Sequence, residues 1–250
     1  MTKDFLIKWF DSLDSTNDEA LRHISAYDNL SVIAAWEQTA GRGQRGNSWS
    51  AAPGENLTFS VVLKYGPGAL EPLPAASAFC LSKASSLAVC DVLETYDIKA
   101  FIKWPNDIYV RNRKICGMLI ENSLSGDKLS TSVIGIGLNV NQKEFPPQLV
   151  NPVSMASVTG SDYLVKDVLD TFCKAFSGRL ESIYRDSDGL DRDYIARLYR
   201  FGRLSTYVDC SSGAEFQGRI TGVLGDGRLK ISLPDGTDRL YFFKEVSFVI

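Results

Sequence analysis

Apolar side chains recur along the chain at two spacings, which predict alternating strands and helices. In residues 56–64, Leu57, Phe59 and Val61 fall on one side, the two-residue period of a strand with one buried face. Across residues 75–96 the apolar positions follow the three- and four-residue spacing of a helix that packs on a sheet. Further strands are predicted at 5–10, 32–36, 100–103, 115–121 and 133–139, and further helices at 163–184 and 190–200.

Local signals refine this outline. Thr16 followed by Glu19 has the spacing of a capping box, which predicts that a helix begins at this point. The strands near 100–103, 115–121 and 133–139 are joined by connections too short for parallel crossovers, so they are expected to pair in antiparallel fashion. The pattern therefore predicts an α+β fold with a mixed, mostly antiparallel sheet.

The pattern changes after Gly202, where short β-rich stretches alternate with turn pairs. Ser212-Gly213, Asp226-Gly227 and Asp235-Gly236 mark these turns at regular spacing. We expect a first domain over residues 1–202 and a small all-β barrel over residues 203–250.

Composition narrows the function classes. The chain has 250 residues, 44% of them hydrophobic, and a net charge of −3, which argues against non-specific binding of nucleic acid. The five cysteines are scattered and include no C-x-x-C pair, which favours reduced thiols over disulfides or a zinc site. We expect a cytoplasmic protein, with no signal peptide and no stretch long enough to cross a bilayer.

Residues 41–46, GRGQRG, carry the clearest candidate chemistry. They spell the G-x-G-x-x-G dinucleotide fingerprint, but that motif must open a helix, and Pro53 and Gly54 follow too soon. A kinase glycine loop is excluded because the only histidine, His23, is not part of an H-R-D motif. Glycines that allow close approach, next to arginines that bind oxyanions, predict an anion site.

Three more clusters follow along the chain. Residues 103–107, KWPND, taken alone are best interpreted as a turn, although they also place a lysine, an amide and a carboxylate together. Lys114 precedes Gly117 in a strand, where a missing side chain leaves room for a ligand. Gly135 and Gly137 weaken another strand just before Asn139, which predicts a bulge or a close ligand.

Taken in order, residues 14–17, 41–49, 103–107, 114–121 and 137–139 resemble the motifs of the biotin protein ligases. The resemblance covers nearly the whole chain. It implies a catalytic domain like those of class II aminoacyl-tRNA synthetases, followed by an SH3-like C-terminal β-barrel. It also implies that biotin and ATP form biotinyl-5′-AMP, and that biotin then passes to a lysine of a biotin carboxyl carrier protein.

The resemblance implies a role for each matching residue. The expected catalytic residues are Arg42, Arg45, Lys114 and Asp107. The expected biotin-binding residues are Ser15, Thr16, Asn17, Gln38, Gly41, Arg42, Gly43, Gln44, Lys114, Gly117 and Gly137. The expected ATP- or adenylate-binding residues are Arg45, Trp49, Asn106 and Asn139. Two phosphate-rich steps predict a need for Mg²⁺, whose ligands the sequence does not identify.

One residue departs from the family pattern. Gln44 stands where the family loop commonly has a second arginine. The loop therefore lacks one positive charge and one guanidinium group that could form two parallel hydrogen bonds to an anion. We expect this chain to retain its adenylate less tightly.

Other functions compete with this interpretation. A lipoate–protein ligase catalyses the same reaction type, but its R-R-x-S-G-G-G segment is not found in this sequence. A biotin-responsive regulator or binding protein without catalysis is the alternative of another class. Only about a dozen residues precede Asp14, too few for a helix-turn-helix DNA-binding domain. We expect neither nucleic acid nor membrane as a partner, and a homodimer remains open.

Overall fold

The computed structural model describes residues 4–250, apart from the side chain of Arg45. The larger part of the chain forms a seven-stranded sheet. Its strands are β1 (Leu6–Leu13), β2 (Ser31–Gln38), β3 (Leu57–Lys64), β4 (Phe101–Lys103), β5 (Asp107–Val110), β6 (Arg113–Ser125) and β7 (Lys128–Leu138). They lie in the order β1-β2-β3-β7-β6-β5-β4. Only β1 and β2 are parallel among these neighbours, which confirms the mixed, mostly antiparallel sheet.

Five helices accompany this sheet: α1 (Thr16–Arg22), α2 (Phe79–Thr95), α3 (Met155–Thr159), α4 (Val165–Arg185) and α5 (Ser187–Ala196). One face of the sheet is covered by α2 and α4. There Phe59 of β3 lies edge-on to Phe172 of α4, with ring centroids 4.9 Å apart. Side chains alternate between the two faces of β3, and its odd-numbered residues enter the main core.

The opposite face is covered only in part. Helix α1 packs there on a small second core that includes Ala20, Ile33, Val62 and Val133. Beyond α1 the same face carries short or polar residues, so it stays open to ligands. Strand β5 and helix α3 were not anticipated, because both are short and lack a full period of apolar positions.

Helix α2 corrects an expectation about membranes. With the preceding 3-10 turn, residues Ala75–Thr95 are long and apolar enough to cross a bilayer, so the expectation that no stretch has this length was wrong. However, 61% of the most apolar window is buried inside the fold. Leu87, Ala88 and Leu93 have no exposed surface and belong to the main core, which accounts for the hydrophobicity.

The second sheet uses residues after 203. Its strands are β8 (Leu204–Asp209), β9 (Glu215–Val223), β10 (Leu229–Ser232), β11 (Asp238–Tyr241) and β12 (Val246–Phe248), in the order β11-β10-β9-β8-β12. Gly213, Gly227 and Gly236 occupy the three predicted turns with positive φ, a conformation that glycine adopts easily. A domain boundary near residue 202 agrees with this arrangement and stays a prediction. All five cysteines of the chain are free thiols.

The turn between β9 and β10 fastens the second sheet to the first unit. The indole N–H of Trp104 donates to the carbonyl oxygen of Gly227, at 2.9 Å. A Cβ atom at Gly227 would lie 2.7 Å from the ring of Phe79, so the turn backbone rests directly on that ring. Phe243 adds an edge contact to Trp104, with ring centroids 6.1 Å apart.

We expect Gly227→Ala to weaken this docking. Its φ of +90° disfavours a side chain by roughly 1–2 kcal/mol, and the contact with Phe79 adds to that. Urea unfolding should show a loss of at least about 1 kcal/mol. Gly225→Ala in the same turn is the control, because its Cβ meets no atom within 4 Å and its φ is outside the left-handed region. Equal stability of the two variants would contradict the docking role.

Candidate active site

A cavity of about 560 Å³ lies on the open face of the seven-stranded sheet, beside α1. Strand register builds its floor, since Gly135 of β7 lies between Ser60 and Leu119, and Gly137 lies between Thr58 and Gly117. Most of the residues predicted from the sequence line this cavity: Ser15, Thr16, Asn17, Gln38, Arg42, Gly43, Gln44, Trp49, Asp107, Lys114, Gly117 and Gly137.

The start of α1 forms the polar end of the cavity. Gln38 Oε1 accepts from the backbone N–H of Thr16 at 2.8 Å and from its hydroxyl at 3.2 Å. The hydroxyl oxygen of Ser60 lies 2.8 Å from Thr16 Oγ1 and 2.6 Å from Asn17 Oδ1. These side chains are held by one another, so the donors and acceptors they present are fixed in place.

The helix cap differs from the sequence prediction. Ser15, not Thr16, is the N-cap, and its hydroxyl accepts from the backbone N–H of Asp18 at 3.4 Å. The capping box of Thr16 and Glu19 was therefore wrong. Thr16 is the first helical residue, and its hydroxyl is used instead in the contacts with Gln38 and Ser60.

Glu121 joins this polar end to the glycine-arginine loop. It accepts from Asn17 Nδ2 at 2.8 Å and from Arg42 at 2.9 Å, and Arg42 also forms an ion pair with Asp18. The hydrogen bond to Glu121 raises the pKa of the Arg42 guanidinium above its usual value. An anionic ligand that binds Arg42 must therefore compete with two carboxylates. Asp18 and Glu121 were not identified as site residues from the sequence.

The indole of Trp49 lies over the paired glycines of the floor. A Cβ atom at Gly137 would come within 2.2 Å of this ring, and one at Gly117 within 2.9 Å. Gly41 fixes the backbone of Trp49 by accepting from its N–H at 2.8 Å. The buried indole nitrogen has no hydrogen-bond partner among the described residues, so a donor stands available inside the site.

Lys114 and Asp107 meet across strands β6 and β5. Lys114 Nζ lies 2.8 Å from Asp107 Oδ1, and both side chains are about one-third exposed. Residues 104–106 form the hairpin turn between paired Lys103 and Asp107, which confirms the turn interpretation and still presents Asp107 to the cavity. Two of the residues expected to be catalytic therefore lie together at the cavity, while their catalytic roles stay predictions.

Several predicted residues lie elsewhere. Asn106 and Asn139 are buried outside the lining, where Asn106 accepts from Gln44 Nε2 at 3.0 Å and Asn139 Nδ2 donates to the carbonyl of Val153 at 3.0 Å. Gly41 lies behind the lining against the backbone of Trp49. The side chain of Arg45 lies outside the described residues.

Other lining residues were missed by sequence reasoning. Phe243 and Lys244 reach the cavity from the turn after β11, about 130 residues after Lys114, and this segment carries no local motif. Residues 148–150 also border the cavity. Gly135 was noted only as a weak point in a strand, yet it lies beside Asn17.

Comparison with known proteins decides the family. A sequence profile of the biotin/lipoate A/B protein ligase family matches residues 9–139, more than half of the chain. This chain belongs to that family. Among similar proteins is the biotin–acetyl-CoA-carboxylase ligase of Paracoccus denitrificans, with 32% identity over 89% of this chain and 92% of the relative. The ligase of the same name from Mycobacterium tuberculosis is 31% identical over 86% of this chain and 79% of its own length.

Solved structures agree with this membership. The biotin protein ligase from Aquifex aeolicus in complex with biotin and ATP has a TM-score of 0.75 to this chain, with 26% identity and 97% coverage of both chains. The apo structure of that ligase has a TM-score of 0.76 and 25% identity, with 100% coverage of both. The family resemblance expected from the motifs is therefore confirmed, as is the α+β fold.

The contact between Gly135 and α1 gives a prediction. A Cβ atom at Gly135 would lie 2.1 Å from Asn17 Oδ1, so Gly135→Ala must displace a buried, hydrogen-bonded amide. We expect a loss of about 1–3 kcal/mol in the free energy of unfolding, measured in urea. Gly178→Ala is the control, because this exposed position inside α4 should gain roughly 0.5–1 kcal/mol. Unchanged stability of Gly135→Ala would contradict the close contact between Gly135 and Asn17.

Proposed function

We propose that this chain is an ATP-dependent ligase that activates biotin as biotinyl-5′-AMP and transfers it to a lysine of a biotin carboxyl carrier protein. The observation that carries the proposal is one cavity that combines a fixed hydrogen-bonding network at α1 with two cationic side chains, Arg42 and Lys114. The biotin ligases among its relatives support the same assignment. It acts in the cytoplasm, without nucleic acid or membrane as a partner.

The polar end recognises the ureido ring of biotin. Such a ring offers N–H donors and a carbonyl acceptor, which match the side chains of Ser15, Thr16, Asn17 and Gln38. The bicycle binds on the strip of Gly117 and Gly137, and for this the Trp49 indole that now covers these two glycines has to move aside. Gly43 keeps the loop narrow enough to close over the ligand, since its Cβ would lie 3.1 Å from a loop carbonyl.

The cationic side chains make the first reaction feasible. The biotin carboxylate attacks the α-phosphorus of ATP, a P–O bond forms, and the bond to the β-phosphate breaks to release pyrophosphate. Both reactants are anions, so Arg42, Lys114 and Arg45 offset the repulsion and the charge of the transition state. Trp49 stacks with adenine, and Asn106 and Asn139 support the adenylate pocket from behind.

Magnesium accompanies the nucleotide. Among the described residues no group of three or more His, Cys, Asp or Glu side chains forms a metal site. A Mg²⁺ ion bound to the phosphates of ATP would supply positive charge there.

The second reaction passes biotin to the carrier. The neutral amine of the carrier lysine attacks the biotinyl carbonyl carbon, and AMP leaves with the electron pair of the broken C–O bond. Asp107 orients this amine and accepts its proton, beside the Lys114 cation that holds the adenylate.

The architecture follows the family. Residues 1–202 form a class II aminoacyl-tRNA synthetase-like catalytic domain, and residues 203–250 form an SH3-like domain. The support for the second assignment is a small antiparallel sheet of five short strands.

A lipoate ligase is the second candidate, because the family profile includes both activities. The polar end of the cavity disfavours it. A dithiolane ring has no N–H or carbonyl group, so it could not form hydrogen bonds with the polar side chains of Thr16 and Asn17 that line this end.

Pyrophosphate exchange into ATP tests the proposed function. We expect exchange with biotin and none with lipoate. Lys114→Met should reduce the rate by about 100-fold or more, because it removes a charge-stabilising donor at the reacting centre. Lys143→Met is the control, since Lys143 pairs with Asp162 on the surface. Exchange with lipoate alone would overturn the assignment.

Gln44 gives a prediction about adenylate retention. Its Nε2 donates to Asn106 and to the carbonyl of Met118. A neutral side chain therefore attaches the glycine-arginine loop to the strands at this point. Gln44→Arg should slow release of biotinyl-5′-AMP roughly tenfold or more, because a charge-assisted hydrogen bond is gained. The measurement is the loss of labelled adenylate from purified complex during a chase. Gln217→Arg, at an exposed strand position, controls for the added charge. Equal release of biotinyl-5′-AMP from Gln44→Arg and wild type would contradict the effect of Gln44 on adenylate retention.

A further inference from the structure

Three side chains at the polar end of the cavity, Thr16, Asn17 and Gln38, present a fixed set of donors and acceptors. Thr16 has one hydroxyl proton, which it donates to Gln38 Oε1 at 3.2 Å. Gln38 Oε1 also accepts from the backbone N–H of Thr16 at 2.8 Å, so Gln38 keeps its amide N–H groups for a ligand. Thr16 therefore offers a ligand only the lone pairs of its hydroxyl oxygen.

The amide of Asn17 is oriented by its neighbours, because an amide has a donor end and an acceptor end. Its Nδ2 donates to Glu121 Oε2 at 2.8 Å and to the carbonyl oxygen of Leu119 at 3.3 Å. A carboxylate and a carbonyl can only accept, so they fix the donor end. Asn17 Oδ1 accepts from the hydroxyl of Ser60 at 2.6 Å, and a Cβ atom at Gly135 would come within 2.1 Å of this oxygen. Asn17 therefore turns its acceptor end toward the floor of the cavity.

Strand register brings Glu121 to this position. Leu119 of β6 pairs with Gly135 of β7, and Glu121 lies two residues further along β6. Side chains two residues apart share a face of the sheet, so Glu121 projects beside the space that Gly135 leaves for the Asn17 amide. Glu121 is not among the described residues that line the cavity, so it acts on a ligand through Asn17.

A carboxylate at residue 121 can serve two donors at once, because both of its oxygens accept. Oε2 of Glu121 accepts from Asn17, and Oε1 accepts from Arg42 Nη2 at 2.9 Å. An amide in place of this carboxylate has only one acceptor oxygen. The charged guanidinium would take that oxygen, because charge-assisted hydrogen bonds are stronger than neutral ones. The NH2 group left over would face Asn17 and would favour the reversed orientation of its amide.

We propose that Glu121 is a positioning residue that determines specificity, because it keeps Asn17 as an acceptor and thereby selects ligands with ring N–H groups. This inference rests on the proposed function. The acceptors of Thr16 and Asn17, with the donor of Gln38, match a cyclic urea, which has two N–H groups and one carbonyl. Thr16 and Asn17 are each only 3% exposed. Buried acceptors reject an analogue with oxygen in place of N–H, since lone pairs then face each other without a proton.

Substrate analogues test this selection. The probes are biotin and the two cyclic carbamates in which an oxygen replaces one or the other ring N–H group, compared by kcat/KM in pyrophosphate exchange at saturating ATP. Glu121→Gln should lower the preference for biotin over at least one carbamate by roughly tenfold or more, because the reversed amide donates where it accepted before. Asp18→Asn is the control, since it removes the other carboxylate that pairs with Arg42 and leaves the hydrogen bond between Glu121 and Asn17 in place. It should keep the preference.

A reciprocal substitution tests the orientation of the amide without a ligand. Asn17→Asp alone sets two carboxylates against each other, and Glu121→Gln alone sets two NH2 groups against each other. Asn17→Asp combined with Glu121→Gln exchanges the amide and the carboxylate, so one donor again meets one acceptor, and an oxygen still accepts from Ser60. We expect the double variant to unfold at a higher urea concentration than either single variant and to regain most of the preference for biotin.

The outcomes separate the role of Glu121 from the proposed function. An unchanged preference of Glu121→Gln for biotin over both carbamates would overturn the role, and so would a double variant that is no more stable than the single variants. If wild type shows no exchange with biotin, the proposed function fails. The urea midpoints of the four proteins then still decide whether Glu121 orients the Asn17 amide.

Discussion

The site depends on the register of three neighbouring strands. Because β3, β7 and β6 pair in antiparallel fashion, Gly137 faces Gly117, and Gly135 faces Leu119, on one side of the sheet. This leaves a strip without side chains in the middle of a sheet whose other side is a full hydrophobic core. A shift of one residue would turn the apolar core residues of β7, such as Ile136, toward the cavity and bury its glycines. The core thus fixes the floor of the site through the alternation of the strands.

The charges around this floor form two groups. One group, Arg42 and Lys114, is already balanced by Asp18, Glu121 and Asp107. These ion pairs hold long side chains in place, and a ligand anion must replace a carboxylate to bind them. The other group, Lys103 and Lys244, has no ion pair among the described residues.

Coupling between the two ends of the cavity passes through Glu121. Its two oxygens accept from Asn17, which faces the polar end, and from Arg42, which belongs to the anion-binding loop. Ligand groups at either end therefore act on one carboxylate. Gln44 closes the same loop with neutral hydrogen bonds, so this family member combines a firmly attached loop with less charge around the adenylate.

Sequence alone determined the elements and the family. Apolar periodicity predicted most strands and helices, glycine turns predicted the β-rich end, and the order of GRGQRG, KWPND and the paired glycines predicted the ligase resemblance. These predictions succeeded because each pattern depends on residues that are close together in the sequence. Tertiary structure decided that Ser15 caps α1 while Thr16 binds Gln38, that Glu121 joins Asn17 to Arg42, and that Lys244 reaches the site. These contacts join residues distant in sequence, so only the packing of strands and the docking of the second sheet could define them.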